Sequence, residues 1–233
     1  MYYEPGKTPH GLPFNPFKAC VVPRPIGWIS STSLAGIDNL APFSQFQMIG
    51  YDPPTIMFSA NQNTHGARKD TVSNVEARGE FVWNMATWEL RDAVNLTSEE
   101  LPPEVDEFAH AGLAKIASRL VVPPRVAASP VHFECRHLQS VHLPGNSAAG
   151  TVDVIFGQVI AIHIDDRFLT ADGRLDIPAI RPLARMGYHD YTSVEQVFSM
   201  APRGSAARLA GLEGSPEKMA TAVVPQKPPG DSR

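Results

Sequence analysis

The sequence predicts a mainly β fold: an antiparallel barrel of short strands with a few short helices. Three observations carry this. The 22 prolines among 233 residues are about twice the ordinary share. They cluster between apolar segments, at 23 and 25, 53 and 54, 102 and 103, and 123 and 124, where they interrupt helices and mark where strands begin. Two long β-type segments, VHFECRHLQSVHL and TVDVIFGQVIAIHID, flank PGNSAAG at 144–150, the pattern of a hairpin. Only 70–79 and pieces of 88–118 read as helical.

Taken in order, residues 1–15 read as an N-terminal arm, 16–202 as one domain and 203–233 as a tail. PIGWISSTS (25–33) is a strand that runs out into small hydroxyl residues. LAGIDNLAPF holds a turn around Gly36, with Asp38 and Asn39 favouring its tight geometry. PPTIMFSAN (53–61) is nearly continuously apolar, as expected of a strand buried on both faces. In the helix over 70–79, Asp70 or Thr71 can cap, Val72 and Val75 supply the apolar face and Gly79 ends it. EFVWNMA (80–86) is the next strand, and LPPE breaks the helical pieces that follow. The tail, including GSPEKMATAVVPQKPPGDSR, has no hydrophobic period and reads as disordered.

Bulk properties exclude several classes. The formal net charge is −4 and the hydrophobic share 43 %. There is no basic stripe, so no nucleic-acid partner is expected. Cys20 and Cys135 lie far apart and form no CxxC, which fits a reducing compartment. The opening MYYEPGKTPHGLPF lacks the charged start and apolar run of a signal peptide. No window has the length needed to cross a membrane. The expectation is a cytoplasmic protein that needs no membrane.

Two stretches carry candidate chemistry. In HGARKDTVSNV (65–75), Arg68 and Lys69 immediately precede Asp70 and Thr71 at a helix start. A helix N-terminus offers unpaired N–H groups and a positive dipole end. With two cations and a hydroxyl it suits a phosphate. Asp70 would repel such a ligand unless it points away or holds the cations. The alternative is a solvated charged turn with an ordinary cap. In RPIGWISSTSLAGIDNLAPFSQF (24–46), Ser30, Ser31 and Thr32 end one strand, and Asn39, Ala41, Pro42, Phe43 and Ser44 lie on the next. Small residues there let a planar ligand approach the backbone; the alternative is a plain hairpin with hydroxyl-rich edges.

Other signals point elsewhere. There is no GxGxxG after a strand, no GxxxxGK[ST], and GNSAAG is not the GxSxG elbow. His132, His137 and His142 are five apart in strand-like sequence, which sets neighbours on opposite faces, so no metal site is expected. Cys135 reads as a small buried side chain, and Trp28, Trp83 and Trp88 as core or interface anchors.

Taken together, PRPIGWISSTSLAGIDNLAPFSQFQMIGYDPPTIMFSA, KDTVSNVEARGEFVWN, PVHFECRHLQSV, GQVIAIHIDD and LARMGYHDYTSVEQVF resemble, in order, the flavin reductase-like family of FMN-binding split barrels. The resemblance implies a split β-barrel, FMN as cofactor, and a homodimer whose two subunits form the flavin site. It also implies NADH or NADPH as electron donor, with a partner oxygenase as one recipient of reduced flavin. An FMN-carrying electron carrier and a non-catalytic binding module are the alternatives.

Carried over residue by residue, Ser30, Ser31 and Thr32 would lie along the flavin. Ala41 to Ser44 would pass under its ring, and Ser59, Ala60 and Asn61 would line its ribityl and phosphate side. Arg68, Lys69, Asp70 and Thr71 would clamp the phosphate. No general base is required, and no catalytic residue is assigned; Tyr188 and His189 are the candidates near the ring. One departure is visible: many members carry two glycines after the arginine, where this chain reads Arg185, Met186, Gly187, Tyr188.

Overall fold

The computed structural model describes residues 1–200. Met1–Gln196 form one compact unit. The expected tail over 203–233 lies outside the described residues.

In chain order the elements are α1 (Phe17–Cys20), β1 (Arg24–Pro25), β2 (Gly27–Thr32), β3 (Asp38–Phe43), β4 (Phe46–Tyr51) and β5 (Pro54–Asn61). Then come α2 (Asp70–Arg78), β6 (Glu80–Asn84), α3 (Arg91–Leu96), α4 (Glu107–His110), β7 (Lys115–Ile116) and β8 (Arg125–Val126). The last are β9 (Val131–Leu143), β10 (Val152–Ile164), α5 (Ile177–Ile180), β11 (Leu183–Gly187) and β12 (Asp190–Ser193). Seven strands form one antiparallel sheet in the order β3-β2-β6-β9-β10-β5-β4. The sheet curls until its two ends meet: Phe43 of β3 packs on Phe58 of β5 with ring centroids 4.9 Å apart. Phe46 of β4 stacks on Trp83 of β6 at 5.4 Å. The enclosed core also holds Ile29, Phe81, Ile155 and Val75 from the inner face of α2.

The expected hairpin is β9 and β10, joined over 144–150 and irregular in register at two places. One irregularity lies at Gly157, where a Cβ would fall inside the van der Waals surface of the Phe81 ring. Gly157→Ala is therefore expected to cost about 1–2 kcal/mol by overpacking, read as a lowered denaturant midpoint. β5 is less deeply buried than its apolar run implies: Ile56, Phe58, Ser59 and Ala60 are buried, while Pro54 is exposed. Only one of its faces meets the core, because the sheet has a solvent side.

A second core lies outside the barrel. Ile26, Trp28, Leu40, Val94, Phe108 and Val126 pack together. This cluster anchors the segment 97–107, which the Trp28 indole N–H ties down through the Thr97 hydroxyl at 2.9 Å. Of the tryptophans, Trp28 and Trp83 are buried, whereas Trp88 is 39 % exposed. Arg91 and Arg181 lie over the Trp88 ring at 4.5 and 5.0 Å.

Candidate functional site

Helix α2 starts where Val72 and Val75 turn inward against the barrel and ends at Gly79, whose φ of 76° suits a residue without a Cβ. Its first turn has no side-chain cap, and Lys69 precedes it in extended backbone. The expected cap by Asp70 or Thr71 is thus not made. The Thr71 hydroxyl instead donates to Asn39 Oδ1 at 2.6 Å. Desolvation pushes the Asp70 carboxyl above its ordinary value, against the pull of Lys69. The positive end of α2 is left with open N–H groups.

That end faces a cavity of about 300 Å³, at the small end of the range of ligand sites. One wall is β3, with Asn39, Ala41, Pro42 and Phe43; another is Arg68, Lys69, Asp70 and Thr71. The segment 97–107 closes it, with Glu99, Glu100 and Glu107 among its residues. The sequence reading missed this third wall. β3 is the sheet's edge, so alternate backbone groups along it face away from the sheet toward the cavity. The Leu40 N–H is already taken by Glu107 Oε2 at 3.2 Å, and Pro42 has no N–H to offer. Glu107 also accepts from Asn39 Nδ2 at 2.7 Å. Burial raises its carboxyl, against the bonds it accepts.

The two cations have different partners. The Arg68 guanidinium forks onto Glu76 at 2.7 and 2.8 Å and onto Asp153 at 3.1 and 3.2 Å. Glu76 chiefly, with Asp153 and against some desolvation, raises its proton affinity further. Burial alone would push Asp153 up, but the bonds from His142 (3.0 Å) and Arg68 hold it below the usual carboxylate range. Arg68 therefore fixes the turn before α2 to strand β10. Lys69 reaches into the cavity and pairs with Glu100.

Other anticipated residues lie off this cavity's walls. Ser30, Ser31 and Thr32 are buried, and their hydroxyls are used inside the fold. Ser30 donates to the Pro124 carbonyl, Ser31 to Asn39 and Thr32 to Asp38. Ser44 sits in the bend between β3 and β4. Ser59 and Ala60 are buried in β5, and Asn61 donates to the Ala149 carbonyl at 2.9 Å. His189 lines a separate cavity of about 290 Å³ beside Trp88, Leu183 and Tyr191. Tyr188 packs edge-on against Phe14. Its φ of 49° lies in the left-handed region, which a glycine adopts at less cost than a tyrosine. His132, His137 and His142 bond separately, to the Val126 carbonyl, Ser140 and Asp153.

Among the described residues, then, Asn39, Ala41, Pro42, Phe43 and Arg68 to Thr71 come together. A helix N-terminus, a reachable lysine and the small residues of a strand edge on one cavity suit a planar ligand that carries a phosphate. The profile of the flavin reductase like domain matches residues 19–180. An uncharacterized protein of Aquifex aeolicus is 40 % identical over 167 residues, 72 % of this chain and 82 % of the relative. The structure of nitrilotriacetate monooxygenase component B from Bacillus cereus superposes with a TM-score of 0.78 at 26 % identity, covering 86 % of this chain and 98 % of that one. Flavoredoxin of Desulfovibrio vulgaris (Miyazaki F) gives 0.66 at 19 % identity, over 87 % and 100 % of the chains, a likeness of fold.

Proposed function

The chain belongs to the flavin reductase-like family, and we propose that it is an FMN-dependent oxidoreductase that uses NADH or NADPH as donor. The observation that carries this is the uncapped start of α2, with Lys69, on the same cavity as β3. The flavin supplies the redox chemistry when bound. The chain's own residues bind and orient it. Lys69 and the first-turn amides would hold the phosphate, and Thr71 would position Asn39 through their bond. The Asn39–Phe43 edge would lie along the ring. Arg68, tied to Glu76 and Asp153, keeps the turn in place instead of meeting the phosphate. Ser30, Ser31, Thr32, Ser44, Ser59, Ala60 and Asn61 would support the walls from behind.

The likeness to a monooxygenase component B supports a partner oxygenase as recipient of reduced flavin. A homodimer is supported by Met48, Ile49 and Tyr51, exposed apolar residues on the edge strand β4, which a twin would cover. No described helix is long and apolar enough to cross a membrane, and both cysteines are unpaired, in keeping with a cytoplasmic setting.

Steady-state oxidation of NADH and NADPH, with and without added FMN, tests the activity. Turnover that rises with added FMN is expected. A yellow protein inert to both nicotinamides would make it an electron carrier instead.

A further inference from the structure

We propose that Glu100 is a specificity-determining residue that competes with a bound phosphate for Lys69; the inference rests on the flavin reading above. Among the described residues, Glu100 is the one hydrogen-bonding partner of the Lys69 ammonium. The neighbouring Glu99 is engaged by His110 at 3.0 Å, and Arg68 is occupied by Glu76 and Asp153. The cavity wall thus carries two cations against four acidic side chains, Asp70, Glu99, Glu100 and Glu107. A site for a phosphate with more acids than bases is not built for maximal hold.

The Lys69–Glu100 pair is suited to exchange. Their side chains are 34 % and 64 % exposed, and such pairs are weak. A phosphate would bond Lys69 and the first-turn amides together, which a single carboxylate on the opposite segment does not. Glu100 can then turn to solvent at little cost. Each departing flavin is replaced at Lys69 by a carboxylate already in place, which favours a flavin that is exchanged as a substrate over one kept as a resident group. The competition acts through the phosphate alone, so a flavin without one is indifferent to it.

The test is the affinity of the full chain for FMN and riboflavin, by fluorescence titration, in wild type, Glu100→Gln, Lys69→Ala and the double variant. Glu100→Gln should tighten FMN by about twofold to fivefold, the worth of an exposed pair, and leave riboflavin unchanged. In the Lys69→Ala background the gain should largely vanish, as a double-mutant cycle requires of a direct pair. Unchanged FMN affinity in Glu100→Gln, an equal gain for riboflavin, or the same gain without Lys69 would each overturn the proposal. If wild type binds neither flavin, the flavin reading itself falls and takes this inference with it.

Discussion

Glu134→Ala is expected to lower the unfolding free energy by about 3 kcal/mol, the range for removing one member of a buried, fully bonded charged set. Glu134 is fully buried. It accepts the amides of Arg119 at 2.8 Å and Leu120 at 2.6 Å, and meets His163 Nε2 at 2.5 Å. It thereby pins the loop between β7 and β8 onto the β9–β10 hairpin. The variant would leave two amides and an imidazole without their acceptor. Glu134→Gln keeps an acceptor and should cost about half as much.

The pH dependence has a definite sign. Burial would raise the Glu134 carboxyl, yet the two amides and His163 outweigh it and hold it below its ordinary value of 4.5. A depressed carboxylate contributes stability that is present above the unfolded value and lost as pH falls through the folded one. The difference between wild type and Glu134→Ala should therefore be largest near neutrality and shrink as pH falls below 4.5 and through the lower folded value. Urea midpoints across that range check it, and a difference that stays constant into acid would contradict it.

Lys69→Ala is expected to weaken FMN binding on the order of tenfold, about 1.5 kcal/mol, the low end for a charge-assisted bond. The low end applies because Glu100 competes for the ammonium and Lys69 is partly exposed. Arg68→Ala should act differently. It leaves Asp153, 2 % exposed, without its guanidinium, so its main effect should be on the melting temperature. FMN affinity that falls with Arg68→Ala at unchanged stability, and not with Lys69→Ala, would reverse the two roles.

Much of the architecture is legible in local pattern. The proline spacing, the paired β segments around 144–150 and the α2 stretch ending at Gly79 depend on neighbours in sequence, where propensity and periodicity act. What escaped depends on distant partners. Arg68 and Lys69 look equivalent side by side, yet Asp153, 85 positions away, takes one of them and leaves the other to the cavity. Ser30, Ser31 and Thr32 look like a ligand surface, but their hydroxyls find acceptors in the fold. The wall over 97–107 has no periodic signature. It is held by Trp28 to Thr97 and by Glu107 to Asn39 and Leu40, contacts that no local motif announces. Tyr188 shows as a departure from a two-glycine pattern, and only its φ gives that departure a physical meaning.

FMN binding by this chain is the property on which the proposed function turns. The decisive measurement is the visible spectrum of the purified protein, followed by titration with FMN under fluorescence. A saturable change in the flavin bands and in flavin emission, weakened in Lys69→Ala, is expected. A colourless protein that leaves the spectrum and emission of added FMN unchanged, at concentrations up to about 1 mM, where binding would be worth no more than about 4 kcal/mol, would contradict it.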